Sequence, residues 1–107
     1  MLSWWNPYEI GFTMEKYMVV CKFKQGTEMS DVYAVVAEEQ AKAAELQAAG
    51  KIGAIHLATI SRGTVFIETN AETLEEATAI IQSLPMAMWW DIDVFPLSAP
   101  GKPGANS

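Results

Sequence analysis

The chain has 107 residues, half of them hydrophobic, which suits one compact domain with a single core and excludes a multi-domain organisation. Its net charge of −6 at neutral pH has the wrong sign for unassisted attraction to nucleic acid or to anionic lipid surfaces. A lone cysteine, Cys21, excludes an intrachain disulfide and a zinc site built from several thiolates.

In chain order, residues 1–13 come first, with Trp4, Trp5, Tyr8, Ile10 and Phe12. Two readings of this segment compete. It is either an upstream extension before a domain that starts at Met14-Glu-Lys-Tyr17, or a docking arm in which Trp4, Trp5, Tyr8 and Phe12 anchor a protein partner. Tyr17 to Lys24 is β-rich and ends at Gln25-Gly26, which predicts a strand and a turn. Ser30 and Asp31 supply a cap and an early negative charge for a helix from Val32 to Ala49, stopped by Gly50. Ile52–Ile60 and Thr64–Thr69 are apolar and β-branched, and the short link Ser61-Arg62-Gly63 makes them a hairpin. Asn70 is positioned to cap a second helix with Leu74, Ala77, Ile81 and Leu84 on one face, ended by Pro85. Trp89 to Phe95 reads as a last strand, and the Pro- and Gly-rich tail, 98–107, has nothing to bury and is expected to be mobile.

The order β-α-β-β-α-β over residues 14–97 predicts an α+β, ferredoxin-like domain, a four-stranded antiparallel sheet with both helices on one face. If the other face met water, each strand would alternate apolar with polar residues. These strands do not. Met18 and Val20 oppose Val19 and Phe23, Ile52 and Ile60 oppose Ile55 and Leu57, Phe66 opposes Val65 and Ile67, and Trp89 and Phe95 oppose Trp90, Ile92 and Val94. Two apolar faces predict a homodimer, or a higher homo-oligomer, in which the uncovered sheet faces meet as a dimeric α+β barrel. No apolar run approaches the roughly 18 residues of a membrane span. The first residues lack a basic flank and include Asn6, Pro7 and Glu9, so no signal peptide is expected and the expected compartment is a reducing cytoplasm.

Few residues carry candidate chemistry. At 100° per residue, Val32, Val35, Val36, Ala43 and Leu46 form one helical stripe, and Glu39 falls in its middle. Burial raises a carboxyl's pKa toward the range of a general base, which makes Glu39 the strongest catalytic candidate, against a purely structural ion-pair role. His56, the sole histidine, stands between Ala54 and Ala58, small neighbours on its own face, and histidine is a side-chain type suited to exchanging a proton with a substrate. Lys22, Asp91 and Asp93 interrupt strands that are otherwise apolar, as substrate contacts or as solvated positions. Trp89 and Trp90, with Met86 and Met88, suit either a ring-binding cleft or plain core, and Phe66 is a further candidate binding aromatic. Metal is not expected, because one histidine and one cysteine do not make a usual zinc set, and neither a Gly-rich phosphate loop nor a GxSxG elbow is present.

Leu84-Pro85, an apolar link, and then Trp90-Asp91-Ile92-Asp93-Val94 before Pro96-Leu97 resembles the ending of muconolactone isomerase-like proteins of the dimeric α+β barrel superfamily. Glu38-Glu39 through Leu46-Gln47 to Gly50 is similar to their helix, and Lys22 falls where they carry a first-strand lysine. The resemblance spans roughly Tyr17 to Leu97. It implies a cofactor-independent proton shift within a small unsaturated lactone, with Glu39 as base and Lys22 or His56 stabilising the developing oxyanion. The sequence departs from the family pattern at Gly53-Ala54-Ile55-His56-Leu57-Ala58, which lacks its basic and aromatic residues, and at Ile60-Ser61-Arg62-Gly63, which replaces a histidine-containing segment. The expected function is an isomerase or related lyase acting on a small carbonyl compound. The alternative is a non-catalytic module, either a small-ligand binder or an assembly subunit fastened by its Trp-rich arm.

Overall fold

The computed structural model describes residues 14–98, and the candidate arm residues Trp4, Trp5, Tyr8 and Phe12 lie outside them, as does most of the tail. Four strands, β1 (Glu15–Phe23), β2 (Ile52–Leu57), β3 (Thr64–Ala71) and β4 (Trp90–Pro96), form one antiparallel sheet in the order β2-β3-β1-β4. Helices α1 (Met29–Ala34), α2 (Val36–Ala48) and α3 (Leu74–Gln82) provide its cover, and the expected α+β order is the observed one. The core lies on the helix side, where Val19 and Cys21 of β1, Ile67 and Thr69 of β3 and Ile81 of α3 are essentially sealed from solvent. Thr69 is tolerated there because its hydroxyl donates to the Ile67 carbonyl at 3.2 Å.

Several local expectations are corrected. The first helix is not continuous. It starts at Met29, with Ser30 and Asp31 inside its first turn, and breaks at Val35, whose φ of −110° and ψ of 14° leave the helical region. The Val35 N–H closes a tight turn onto the Val32 carbonyl at 3.1 Å. Two adjacent β-branched residues, Val35 and Val36, weaken helix propensity at that point, and the break lets α1 turn Val32 into the core.

Asn70 does not cap α3. It is a strand residue whose side-chain amide donates to the Gly50 carbonyl at 3.1 Å. The cap is Thr73, which accepts the Glu76 N–H at 3.1 Å, while the Glu76 carboxylate reaches back to the Glu72 N–H at 2.7 Å. This capping box was present in the sequence as Thr73-Leu-Glu-Glu76. The buried face of α3 shifts accordingly, with Ala77, Ile80 and Ile81 inside and Leu74 largely exposed.

The second strand stops at Leu57, and Ile60 lies in a 3-10 turn, Ile60–Arg62, instead of continuing the strand. A register shift between Ile52 and Ile55 places them opposite Thr69 and Ile67, so both point to the covered face and not to opposite faces. Trp89 likewise belongs to a 3-10 turn, Pro85–Trp89, and the last strand begins at Trp90.

The uncovered face is less uniformly apolar than expected. The register brings Met18 beside Phe95, and Val20 beside Phe66, at its centre. Lys16, Lys22, His56, Glu68, Asp91 and Asp93 surround them.

Candidate functional site

Glu39 sits in the first turn of α2, a helix that packs Ala43 and Leu46 into the core and so carries Glu39 toward the sheet. One carboxylate oxygen, Oε1, accepts the backbone N–H of Met86 at 2.8 Å. That donor is available because Pro85 opens the 3-10 turn, leaving the N–H behind it without a partner inside the turn. Burial pushes the Glu39 carboxyl above the usual carboxylate range, and the Met86 hydrogen bond only partly opposes this.

Cys21, in the core, feels that charge. Its thiol is pushed up to about 12, first by burial and then by the Glu39 carboxylate, so it stays protonated and unreactive. Two residues further along the same face of β1, Phe23 meets the edge of Trp90 with ring centroids 6.1 Å apart and planes at 74°. Trp90 is 4% exposed, and its indole N–H is buried without a hydrogen-bond partner among the described residues.

Phe23 also forms the inner wall of an apolar groove of about 330 Å³ between α1 and the β2–β3 hairpin. Met29 and Tyr33 of α1 face Leu57, Ile60 and Val65 across it. The hairpin can turn this sharply because Gly63 adopts φ +53°, a left-handed conformation that suits glycine.

The other candidates lie elsewhere. Strand alternation puts Lys22 and His56 on the uncovered face, with the sheet between them and Glu39. His56 instead meets Glu68, Nε2 to Oε2 3.1 Å, and both remain substantially in water. Phe66 and Asp91 share that uncovered face, whereas Trp89 lies in the turn before β4, where its carbonyl accepts the Lys24 N–H at 2.8 Å. The four candidate binding residues are thus divided among the core, a turn and the open face.

Sequence reasoning named Met86 for its side chain, beside Trp89 and Trp90, whereas its contribution to Glu39 is a backbone N–H, which leaves no trace in residue type. An apolar cleft between helices and sheet was expected near Glu39, but α1 and the β2–β3 hairpin were not foreseen as its walls, although alternation from Cys21 already points Phe23 inward. Among the described residues, no three histidine, cysteine, aspartate or glutamate side chains converge as a metal-binding cluster. No helix among them is long and apolar enough to cross a membrane.

No curated protein matches the chain. A family model does: that of muconolactone delta-isomerase matches residues 16–101, which takes in all of the sheet but its first residue, all three helices and Glu39. With most of its length covered by that match, the chain belongs to the muconolactone delta-isomerase family.

Proposed function

We propose that the chain is a cofactor-independent isomerase that moves a proton within a small unsaturated lactone or related carbonyl compound, with Glu39 as the catalytic base. The observation that carries this reading is the half-buried Glu39 carboxylate, fixed through one oxygen by Met86 and raised in pKa by burial. Family membership supports the reaction class.

The chemistry balances within one molecule. Glu39 removes a proton from carbon next to the carbonyl, and the C–H electron pair moves into the conjugated system as an enolate. The carboxylic acid so formed returns the proton to another carbon of that system, and the double bond is displaced with no atom gained or lost. Raised basicity favours the first step, and a single fixed oxygen leaves the other free to face the substrate.

The uncovered sheet face carries a separate proposal, a homodimer. Met18, Val20, Phe66 and Phe95 form an apolar centre there, a self-complementary patch that a second copy would cover. A second reading, a non-catalytic small-ligand binder, is favoured by the groove, whose lining is complete without any catalytic group.

Turnover of added unsaturated lactones by the wild type and by Glu39→Gln separates these. Under the isomerase reading the substitution lowers the rate by about 10²-fold or more with the fold retained by circular dichroism. Wild-type silence across a lactone panel, with ligands nevertheless bound, would select the binder.

A further inference from the structure

We propose that the groove between α1 and the β2–β3 hairpin receives an uncharged, largely hydrocarbon group, so that the lactone handled by this chain carries an alkyl or aryl arm and not a carboxylate. The proposal deepens the isomerase reading and, for turnover, rests on it.

Its first support is the donor set. Phe23, Met29, Tyr33, Leu57, Ile60 and Val65 supply most of the wall, and among the described residues no charged side chain lines it. The Thr64 hydroxyl there is already committed to the Arg62 carbonyl at 2.7 Å, and the Thr59 hydroxyl is shared with Ser61 at 3.4 Å. That leaves the Tyr33 hydroxyl as the donor suited to a neutral carbonyl oxygen. A carboxylate seated in such a wall loses its water and gains no countercharge, which is strongly unfavourable.

The second support is where the cations are. Lys16 and Lys22 project from the opposite face of the sheet. Lys42 and Lys51 border a separate depression between α2 and α3, and Lys42 pairs with Glu45 at 3.6 Å. Arg62 precedes Gly63 and Lys24 follows Phe23, but neither exposed side chain is part of the wall, and Lys102 lies outside the described residues. The chain's net charge of −6 adds a general bias against an anion.

The third is continuity with the carboxylate. Phe23 lies two residues from Cys21 on one face of β1, about 7 Å along the strand, and Cys21 is the thiol that feels Glu39. A group resting on Phe23 therefore lies on the covered face of the sheet, one strand step from Cys21. The volume of about 330 Å³ is at the small end for ligand sites, as a small ring with a short arm requires.

The test uses the full chain and two lactones with the same unsaturated ring, one bearing an alkyl arm and the other a carboxymethyl arm. Binding is read by calorimetry, turnover by proton NMR. The alkyl compound should bind at least tenfold more tightly. Ala58→Trp, which fills the groove, should weaken it at least tenfold, and Thr59→Arg should narrow the gap between the two compounds. If Ala58→Trp does not fold, Leu57→Ser, at a side chain 75% exposed, replaces it, with the same loss expected.

Equal or tighter binding of the carboxymethyl compound overturns the proposal, and more so if Arg62→Gln abolishes that binding. Indifference of both ligands to the groove variants overturns it as well, as does sedimentation showing that a second copy occludes the groove and excludes the alkyl compound. Alkyl binding without turnover sinks the isomerase reading and keeps the groove assignment. Preferred turnover of the carboxymethyl compound does the reverse.

Discussion

The two faces of the sheet are built from the same strands, often from adjacent residues, yet they have opposite fates. On β1, Tyr17, Val19 and Cys21 are buried under the helices, whereas their neighbours Met18 and Val20 are only half covered and Lys16 and Lys22 stand in water. Backbone, pairing partners and local twist are shared, so the difference comes from the helices alone. It decides chemistry as well as packing. The same carboxylate chemistry gives Glu39, on the covered side, a raised pKa, while Glu68, on the open side, forms a wet pair with His56. An acid on this protein becomes a candidate base by having a helix and a turn folded over it.

The comparison can be broken most forcefully through activity. Glu39→Gln should remove about 10²-fold or more of lactone turnover, whereas His56→Gln and Lys22→Gln on the open face should leave it nearly unchanged. A comparable loss in all three would mean that the faces cooperate, as through a second copy.

Stability gives the next largest contrast. Ile81→Ala, at a fully buried position, should lower unfolding free energy in urea by about 2–5 kcal/mol. Phe66→Ala, opposite in orientation and half-buried, should lower it by less, and its effect sharpens the dimer proposal. A loss that grows as the protein is diluted indicates that this side chain is covered by another copy. Thr73→Ala should cost about 1 kcal/mol through loss of the α3 cap, and His56→Gln less than about 1 kcal/mol because its pair is exposed.

The smallest effects concern protons. Because the Glu39 pKa is raised in the folded chain, proton binding there favours the folded state. That contribution is complete below the ordinary carboxylate value and is lost as pH rises through the raised one. Stability curves of the wild type and Glu39→Gln should therefore diverge across this interval. The acid limb of turnover should likewise lie above the range of an unperturbed carboxylate. Cys21, with its thiol near 12, should resist a thiol reagent until the chain unfolds; rapid labelling of the native protein would show that the covered face opens.

Much of the fold was legible because periodicity is a property of residue type. The element order, the hairpin and the inward set Val19, Ile67 and Ile81 follow from it. What was not legible turned on the backbone. The register shift that returned Ile52 to the covered face and the 3-10 turn that absorbed Trp89 are set by tertiary fit, and at Val35 the β-branched pair weakens the helix without by itself dictating a break. The site divides in the same way. Glu39 was conspicuous as a charge in an apolar stripe, but its partner is a main-chain N–H. His56 and Lys22 were chosen for their chemistry, and strand alternation put them across the sheet from Glu39.

The register shift in β2 also bears on how copies of this chain can join. β2 is an outer strand, and a kinked, abbreviated rim offers a poor template for another chain to extend the hydrogen-bonded ladder. At the opposite rim, β4 alternates Asp91 and Asp93 with its apolar residues and ends in Pro96, which has no N–H to give. With both lateral borders blunted, growth sideways into a fibre is discouraged. Any self-association is directed broadside, into a closed assembly of defined size.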